Sequence, residues 1–242
     1  MLVLLKYNNL YEKNVVEVKK LGYVPITLFE LQLDDKEQIR KDLNTIFDKI
    51  ENLKPQYSAI GLYLKKIDNS TSSLINNLKK DFDIIIGYGG MNKINRYFIE
   101  QTNIDFLLDP HNSSYYNKID FIHHFNSGLN HVLLNVAKEK QIKLFFSLNF
   151  IYNSKKNIPK EIGRISQNIK FARKYNIPVH INYIISSPNQ LLSLHDLKKT
   201  LSIFGMSSKQ IVDSTNLLKT TIDNNRFKNS KLYINKDICF KN

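Results

Sequence analysis

Apolar residues in this chain follow two patterns, short continuous runs and stripes that recur every three or four positions. Short runs are typical of buried strands, and stripes with that spacing are typical of amphipathic helices. Residues 127–149 show both patterns, because Ser127 is a typical cap residue before a helix and the run from Ile142 to Leu148 predicts a strand after it. The helix has an apolar stripe formed by Leu129, Val132, Leu133, Val136 and Ala137.

The same helix-and-strand unit repeats along the chain. We predict seven strands at residues 2–6, 24–31, 57–64, 82–87, 104–108, 142–148 and 179–184. Strands that alternate with helices are parallel, because parallel neighbours need crossover connections. A closed barrel and an open doubly wound sheet both fit this order. The length of 242 residues and the strand count favour an α/β fold with a TIM-barrel-like parallel barrel, complete or incomplete, of seven or eight strands.

The second half of the chain supplies most of the boundary signals. Pro159 stands where a helix starts, and Gly205 ends another helix. Ser207 or Ser208 caps a last helix that we expect to end near Thr220. An additional short strand is predicted at residues 118–122. No Pro- or Gly-rich linker divides the chain, so we expect one domain over residues 1–223 and a basic C-terminal tail over residues 224–242.

Charge is the unusual feature of the composition. The chain has 35 Lys and Arg against 22 Asp and Glu, a net charge of +13. This excess indicates an anionic partner, most often nucleic acid or an acidic membrane surface, although a solvated basic surface would have the same composition. The single cysteine, Cys239, excludes an intrachain disulfide, and no apolar stretch is long enough to span a membrane. We therefore expect a cytoplasmic protein.

One candidate for chemistry is the mouth of the barrel, because catalytic residues of such barrels lie at the C-terminal ends of the strands. The polar residues predicted there are Glu30, Asp68, Asp109, His111 and Asn149. Converging carboxylates and a histidine could hold a divalent metal for phosphoester hydrolysis. However, the sequence has no His-x-His pair and no His-Glu-x-x-His motif, and the adjacent His123 and His124 would face opposite sides of a strand. We therefore assign no catalytic residue, metal or cofactor to this chain.

A second candidate is a basic helix face. Residues 138–180 contain ten Lys and Arg against two acids, Glu139 and Glu161. In the helix that starts near Pro159, an arc opposite the isoleucines carries Lys160, Arg164, Gln167, Lys170 and Lys174. Such a stripe can follow a phosphate backbone, and a solvated helix face explains the spacing equally well. No RRM, KH or zinc-finger pattern is present.

Four sequence blocks between residue 82 and about residue 220 resemble protein component 3 of archaeal ribonuclease P, the counterpart of the human thirty-kilodalton subunit. The blocks are Gly89-Gly90 followed by Asn95-Arg96; Ile104 to Leu107 leading to Pro110; Gly128 to Leu133 with its following strand; and Ala172 to Tyr175 continuing through Pro178, Ser187-Pro188, Asp196-Leu197 and Gly205-Met206. The chain departs from the family pattern at Asp109, where a histidine is usual, and at residues 189–195.

The resemblance implies a TIM-barrel-like subunit that binds the catalytic RNA of ribonuclease P, together with the component 2 protein and the other protein subunits. The complex removes 5′ leaders from precursor tRNA, and the RNA supplies the chemistry. We expect basic residues to neutralise phosphates rather than to read bases. The residues expected to bind RNA are Arg96, His131, Arg164, Lys170, Arg173 and Lys174. Asn95 and Asn130 could serve as hydrogen-bond donors to RNA or as structural caps.

Two alternatives come from other classes of protein. One is a metal-dependent phosphoesterase of the histidinol-phosphatase-like barrel type, with Asp109 and His111 at its site. The other is a barrel that serves only as a scaffold for protein partners.

Overall fold

The structure is a computed structural model that describes residues 2–33, 36–53, 59–65, 72–90, 92–112, 120, 125–153 and 158–230. In these ranges, eight parallel strands form one sheet that curves into a nearly closed barrel. The strands are β1 (Leu2–Lys6), β2 (Val24–Gln32), β3 (Ala59–Lys65), β4 (Ile84–Tyr88), β5 (Phe106–Leu108), β6 (Lys143–Ser147), β7 (Val179–Asn182) and β8 (Ile184–Ile185). The TIM-barrel-like α/β fold predicted from the sequence is confirmed.

Helices connect the strands and cover the outside of the barrel. They are α1 (Tyr11–Lys20), α2 (Lys36–Leu53), α3 (Ser72–Leu78), α4 (Asn92–Gln101), α5 (His131–Glu139), α6 (Phe150–Asn153), α7 (Ile158–Tyr175), α8 (Leu194–Ile203) and α9 (Ser208–Asn229). A 3-10 turn, Pro188–Gln190, precedes α8. Among the described residues, no helix combines the length and apolar character needed to cross a membrane.

The barrel has one seam, between β7 and β8. The strand order is β7-β6-β5-β4-β3-β2-β1-β8, and only Tyr183 separates β7 from β8 along the chain. This segment therefore pairs with β6 in its first half and with β1 in its second. The side-chain amide of Asn149 spans the change of partner, because its Nδ2 donates to the carbonyl of Ile184 at 2.8 Å and its Oδ1 accepts from the Ile184 N–H at 3.0 Å.

Alternation along the strands gives the barrel two apolar layers. In β2, Ile26 and Leu28 belong to the cluster in the barrel interior, whereas Phe29 and Leu31 belong to the cluster beneath the helices. The interior cluster also contains Leu218 and Ile222 of α9. The C-terminal helix thus contributes side chains to the core of the barrel itself.

α9 lies at the end of the barrel where the strands begin. Asn225 Nδ2 donates to the carbonyl of Asp83, just before β4, at 2.9 Å, and Arg226 Nε pairs with the carboxylate of Asp83 at 2.6 Å. In β7, His180 Nδ1 lies 2.8 Å from the carbonyl of Ser214 in α9. Among the described residues, these contacts cover the end of the barrel where the strands begin.

Three predicted boundaries differ from the structure or cannot be compared with it. The cap of α5 is Asn130 rather than Ser127, since Asn130 Oδ1 accepts from the Leu133 N–H and the helix begins at His131. α9 continues beyond the predicted end near Thr220 to Asn229, held there by its contacts with Asp83. The predicted strand at residues 118–122 lies outside the described residues except for Asp120, which is not in a strand.

Candidate nucleic-acid interface

A groove of about 900 Å³ opens between α4, α5 and α7. α5 packs against both neighbouring helices, and residues 125–130, which lead into α5, form part of its wall. We call it the α4–α5–α7 groove. Its lining includes Lys93, Arg96 and Glu100 of α4, Phe125 to Asn130 of the leading segment, His131 to Leu134 of α5, and Gln167, Phe171, Lys174 and Tyr175 of α7.

The rim of the groove is basic. Lys93, Arg96 and Lys174 are exposed on it, and His131 lies beside them at the first position of α5. Among the lining residues the single acid is Glu100, whose two carboxylate oxygens each lie 2.9 Å from Arg96 Nε. Because the N-terminal end of a helix carries partial positive charge, the start of α5 adds to the same field. The groove therefore has a positive potential suited to an anion.

Side-chain amides from both sides hold the segment that forms the wall. Gln167 accepts from the Phe125 N–H at 2.9 Å and donates to the Phe125 carbonyl at 2.8 Å. Asn168 Nδ2 donates to the carbonyl of Ser127 at 3.0 Å. These bonds satisfy the backbone of an irregular segment much as a neighbouring strand would. The wall is thus fixed to α7 rather than free to move.

Asn95 of α4 holds the other side of the segment. Its Nδ2 donates to the carbonyls of Pro110 at 2.9 Å and Gly128 at 2.8 Å, and its Oδ1 accepts from the Gly90 N–H at 2.9 Å. Asn95 is fully buried. Gly128 has a φ of +79°, and a Cβ there would lie 2.0 Å from the carbonyl oxygen of Pro110. The geometry thus favours the structural alternative for Asn95, and it requires glycine at position 128.

Aromatic side chains line the groove on two sides. Phe125 packs on Gly163 of α7, where an added Cβ would lie 2.7 Å from its ring. Phe171 and Tyr175 are one turn apart on α7 and are partly exposed. Lys174 Nζ lies 5.9 Å from the centroid of the Tyr175 ring, within the range of a cation–π contact. The lining therefore combines ring faces with cations.

Arg164 does not lie on an exposed basic face, and in this respect the helical-arc prediction is wrong. The residue is 3% exposed. Its Nε and Nη2 donate to the two carboxylate oxygens of Asp120 at 3.1 and 3.0 Å, and its Nη1 lies 3.4 Å from Glu161. Asp120 in turn accepts from the Asn126 N–H at 2.9 Å. Arg164 therefore supports the groove wall from behind.

A buried polar network continues from Arg164 towards the mouth of the barrel. His111 Nε2 lies 3.2 Å from Glu161, and both side chains are buried. Asp109 has a φ of +47° and accepts from the Ser147 N–H at 2.7 Å. Burial of the Asp109 carboxyl raises its pKa to about 8, since the bond from Ser147 opposes burial only partly and the charge of Glu161 raises the pKa further. Asp109 is therefore protonated below that pH.

Two other residues predicted for a metal site are described by the structure. Glu30 pairs with Lys6 and Lys65. Asn149 accepts from the Ser147 hydroxyl at 2.6 Å and bonds to Ile184 at the barrel seam. Within the described ranges, no three His, Cys, Asp or Glu side chains are grouped so that they could hold a metal ion. Asp68, His123 and His124 lie outside the described residues.

The structure brings together three of the residues predicted to bind RNA and leaves three outside the groove. Arg96, His131 and Lys174 line the groove, with Asn130 as the cap of α5. Lys170 is exposed on α7 beyond the lining. Arg173 is exposed but donates to Gln210 of α9 at 3.0 Å and to the carbonyl of Gly205, between α8 and α9, at 2.6 Å. Arg164 is the third, buried as described above.

Sequence reasoning missed Lys93 and the aromatic lining of the groove. The signal was present in the spacing, because Phe171, Lys174 and Tyr175 stand at i, i+3 and i+4 on one face of α7. Phe125 and Gly163 could not be associated from sequence, since they are brought together only by the path of the chain between β5 and α5.

Known proteins similar to this chain were found by sequence and by structure, while no family model matches it. Ribonuclease P protein component 3 of Methanococcus maripaludis is 22% identical over 211 residues, 84% of this chain and 84% of that protein. Ribonuclease P protein component 3 of Methanothermobacter thermautotrophicus is 25% identical over 141 residues, 58% of this chain and 54% of that protein.

Two solved structures share the fold. A chain in a cryo-EM structure of archaeal ribonuclease P with mature tRNA superposes with a TM-score of 0.71 at 16% identity, over 96% of this chain and 95% of that one. An N6-mAMP deaminase from Arabidopsis superposes with a TM-score of 0.51 at 10% identity, over 86% of this chain and 59% of that one. Along most of its length this chain is therefore similar in sequence to ribonuclease P protein component 3, and the resemblance predicted from its four sequence blocks is confirmed.

Proposed function

We propose that this chain is a protein subunit of ribonuclease P that binds the catalytic RNA and supports removal of 5′ leaders from precursor tRNA. The sequence similarity to component 3 proteins supports the family assignment. The observation that carries the RNA-binding role is the α4–α5–α7 groove. It gathers Arg96, His131 and Lys174 from three helices, with Lys93 beside them and one acid among the lining residues.

In this proposal the protein positions RNA and the RNA performs the cleavage. Phosphate contacts fix the register and orientation of a nucleic acid without reading its sequence. Arg96, His131 and Lys174 contact phosphates within the groove, and Lys170 and Arg173 extend the basic surface along α7. Arg164 acts indirectly, because it holds Asp120 and through it the groove wall.

The proposed partners follow from the same assignment. They are the ribonuclease P RNA, the component 2 protein and the other protein subunits, with precursor tRNA bound through the assembled enzyme. We place this assembly in the cytoplasm. The scaffold alternative predicts a different partner set, in which the component 2 protein co-purifies with the chain and the RNA does not.

Reconstitution tests the proposal directly. The chain is added to the ribonuclease P RNA and the remaining protein components from the same source, and release of the 5′ leader from precursor tRNA is measured. We expect the cleavage rate to rise with the chain present. The variant Arg96→Ala with Lys174→Ala should lower that gain, whereas Lys13→Ala with Lys20→Ala, which changes exposed cations on α1, should not. An unchanged rate with and without the wild-type chain would contradict the proposal.

A further inference from the structure

The interior of the α4–α5–α7 groove is more apolar than a site for phosphates alone requires. Phe125 and Val132 are 37% and 49% exposed, and both line this one concavity. Phe171 and Tyr175 add two partly exposed rings from α7. Single exposed apolar residues are common on protein surfaces, but a cluster of them inside a concave site marks a place where another molecule binds.

The rings have rigid supports. Phe171 and Tyr175 stand on a helix of 18 residues. Phe125 is held through its backbone by the two bonds to Gln167 and rests on Gly163, where no side chain separates it from the helix. A ring that is already ordered costs little further entropy when a ligand packs on it. The groove is thus prepared for stacking before any ligand arrives.

Cations lie beside the rings. Lys174 is next to Tyr175 in sequence and 5.9 Å from its ring centroid, and Lys93 and Arg96 face the groove from α4. Proteins that bind single-stranded nucleic acid combine these two elements, aromatic faces for bases and a basic groove for the backbone. A volume of about 900 Å³ is near the upper limit of sites that enclose small ligands, roughly 300–1,000 Å³. There is therefore space for a base as well as for its phosphate.

A paired RNA helix would not use these features. In a duplex the bases are stacked on each other, and recognition relies on shape, phosphates and 2′-hydroxyls. A duplex could contact the basic rim, but its base faces could not reach Phe125 or Tyr175 inside the groove. An acidic peptide could pair with the cations of the rim. It has no bases, however, to stack on the ring faces inside the groove.

We propose that the α4–α5–α7 groove accepts an unpaired stretch of RNA, with a base stacked on Phe125 or Tyr175 and the flanking phosphates on Arg96 and Lys174. This inference rests on the proposed function and adds the class of RNA that the groove recognises: an unstacked, single-stranded segment. The base is recognised by its face, so the site tolerates different sequences.

Binding of defined oligonucleotides tests the inference. A fluorescein-labelled single-stranded RNA of ten nucleotides without self-complementarity is compared, by fluorescence anisotropy, with the blunt duplex of the same strand. The wild-type chain should bind the single strand more tightly. At least one of Tyr175→Leu and Phe125→Leu should weaken single-strand binding by about fivefold or more, because loss of one stacked base costs roughly that much, and neither should change duplex binding.

A matched control removes an exposed ring elsewhere. Phe227 of α9 is 43% exposed and lies outside the groove lining, so Phe227→Leu should leave single-strand binding unchanged. Thermal unfolding of each variant reports whether the fold is intact. As a second measurement, the wild-type chain is irradiated with the same strand carrying 5-iodouridine, and the cross-link is expected at Tyr175 or Phe125.

The outcomes separate this inference from the proposed function. Equal binding of duplex and single strand, with no effect of either ring substitution, overturns the inference, while dependence of RNA binding on Arg96 and Lys174 keeps the proposed function. If Tyr175→Leu abolishes binding of the component 2 protein and spares single-strand binding, the groove takes a peptide and the inference is again overturned. If the chain neither binds RNA nor raises leader cleavage in reconstitution, the proposed function fails as well.

Discussion

The side-chain nitrogen of Asn95 in α4 donates a hydrogen bond of 2.8 Å to the carbonyl oxygen of Gly128, 33 residues later in the chain. The same amide also bonds to Pro110 and Gly90. One side chain therefore ties the turn after β4, the turn after β5 and the wall of the groove together. Asn95 belongs to one of the sequence blocks that carry the family resemblance. Its structural role is to set the position of the segment that leads into α5.

We expect Asn95→Ala to destabilise the protein by about 2–4 kcal/mol, since it leaves buried backbone groups without a partner. Chemical denaturation followed by circular dichroism measures this loss. Asn135→Ala changes an exposed asparagine on α5 and should alter stability by less than about 0.5 kcal/mol. If both variants unfold at the same denaturant concentration, Asn95 does not hold the turns together.

The barrel could be predicted from sequence because its information is local. Runs such as Leu144 to Leu148 have to be buried on both faces, and the stripes between them have to cover the sheet, so the alternation of elements determines the fold class. The seam could not be predicted in this way. The run from Val179 to Ile184 appears as one strand, and only the positions of β1 and β6 decide that pairing changes at Tyr183.

The cap of α5 shows the same division between local and distant information. Ser127 and Asn130 are both good cap residues by type. The structure selects Asn130 because Ser127 is occupied elsewhere, with its carbonyl bonded to Asn168 and its hydroxyl to Gln167. Those partners lie about 40 residues further along the chain, where no local pattern could reveal them.

The groove was predicted only in part for a related reason. The family resemblance implied Arg96 and His131 as RNA-binding residues and the basic arc of the helix added Lys174, each as a separate candidate, and the packing of three helices brings them together. Arg164 has the same helical spacing as the exposed lysines, yet Asp120 covers it. The spacing of apolar residues shows which side of a helix faces the sheet. It does not show which residues from elsewhere in the chain cover the opposite side.

Arg164→Ala should destabilise the fold by about 3–5 kcal/mol, because it removes the cation that pairs with both carboxylate oxygens of the half-buried Asp120 and one of the basic partners of the buried Glu161. Thermal and denaturant unfolding measure the loss. Lys170→Ala, an exposed position on the same helix, should have little effect. The opposite result, an unchanged stability together with a weaker salt dependence of RNA binding, would mean that Arg164 contacts phosphate directly.

The salt dependence of RNA binding should report the phosphate contacts in the groove. Each phosphate neutralised on a single strand contributes about −0.7 to the slope of log K against log salt concentration. Arg96→Ala combined with Lys174→Ala should therefore reduce the steepness by about 1.4. The test is anisotropy titration of ribonuclease P RNA at several salt concentrations. Lys13→Ala with Lys20→Ala on α1 should retain the wild-type slope. An equal reduction of the slope in that control would indicate that the RNA responds to the overall charge of the protein rather than to contacts in the groove.

Two buried groups make stability depend on pH in opposite directions. Burial lowers the pKa of His180 to about 4, against an ordinary value near 6.5, because it disfavours the charged ring. The unfolded chain then binds the additional proton, so this group makes the protein more stable as pH rises from about 4 to 6.5.

Asp109 has its pKa raised to about 8. The folded chain retains a proton that the unfolded chain releases, so stability from this group is present below about pH 4 and is lost as pH rises to about 8.

Asp109→Asn isolates the second effect. Asparagine tolerates the left-handed backbone at this position and keeps an oxygen to accept from the Ser147 N–H, but it cannot ionise. Relative to wild type, the free energy of unfolding of the variant should increase steadily between pH 4 and pH 8. The slope for one group is at most about 1.4 kcal/mol per pH unit. Denaturant unfolding at intervals of one pH unit measures the difference, with Asp81→Asn, an exposed aspartate, as the control. A difference between variant and wild type that does not change with pH would mean that Asp109 ionises normally in the folded protein.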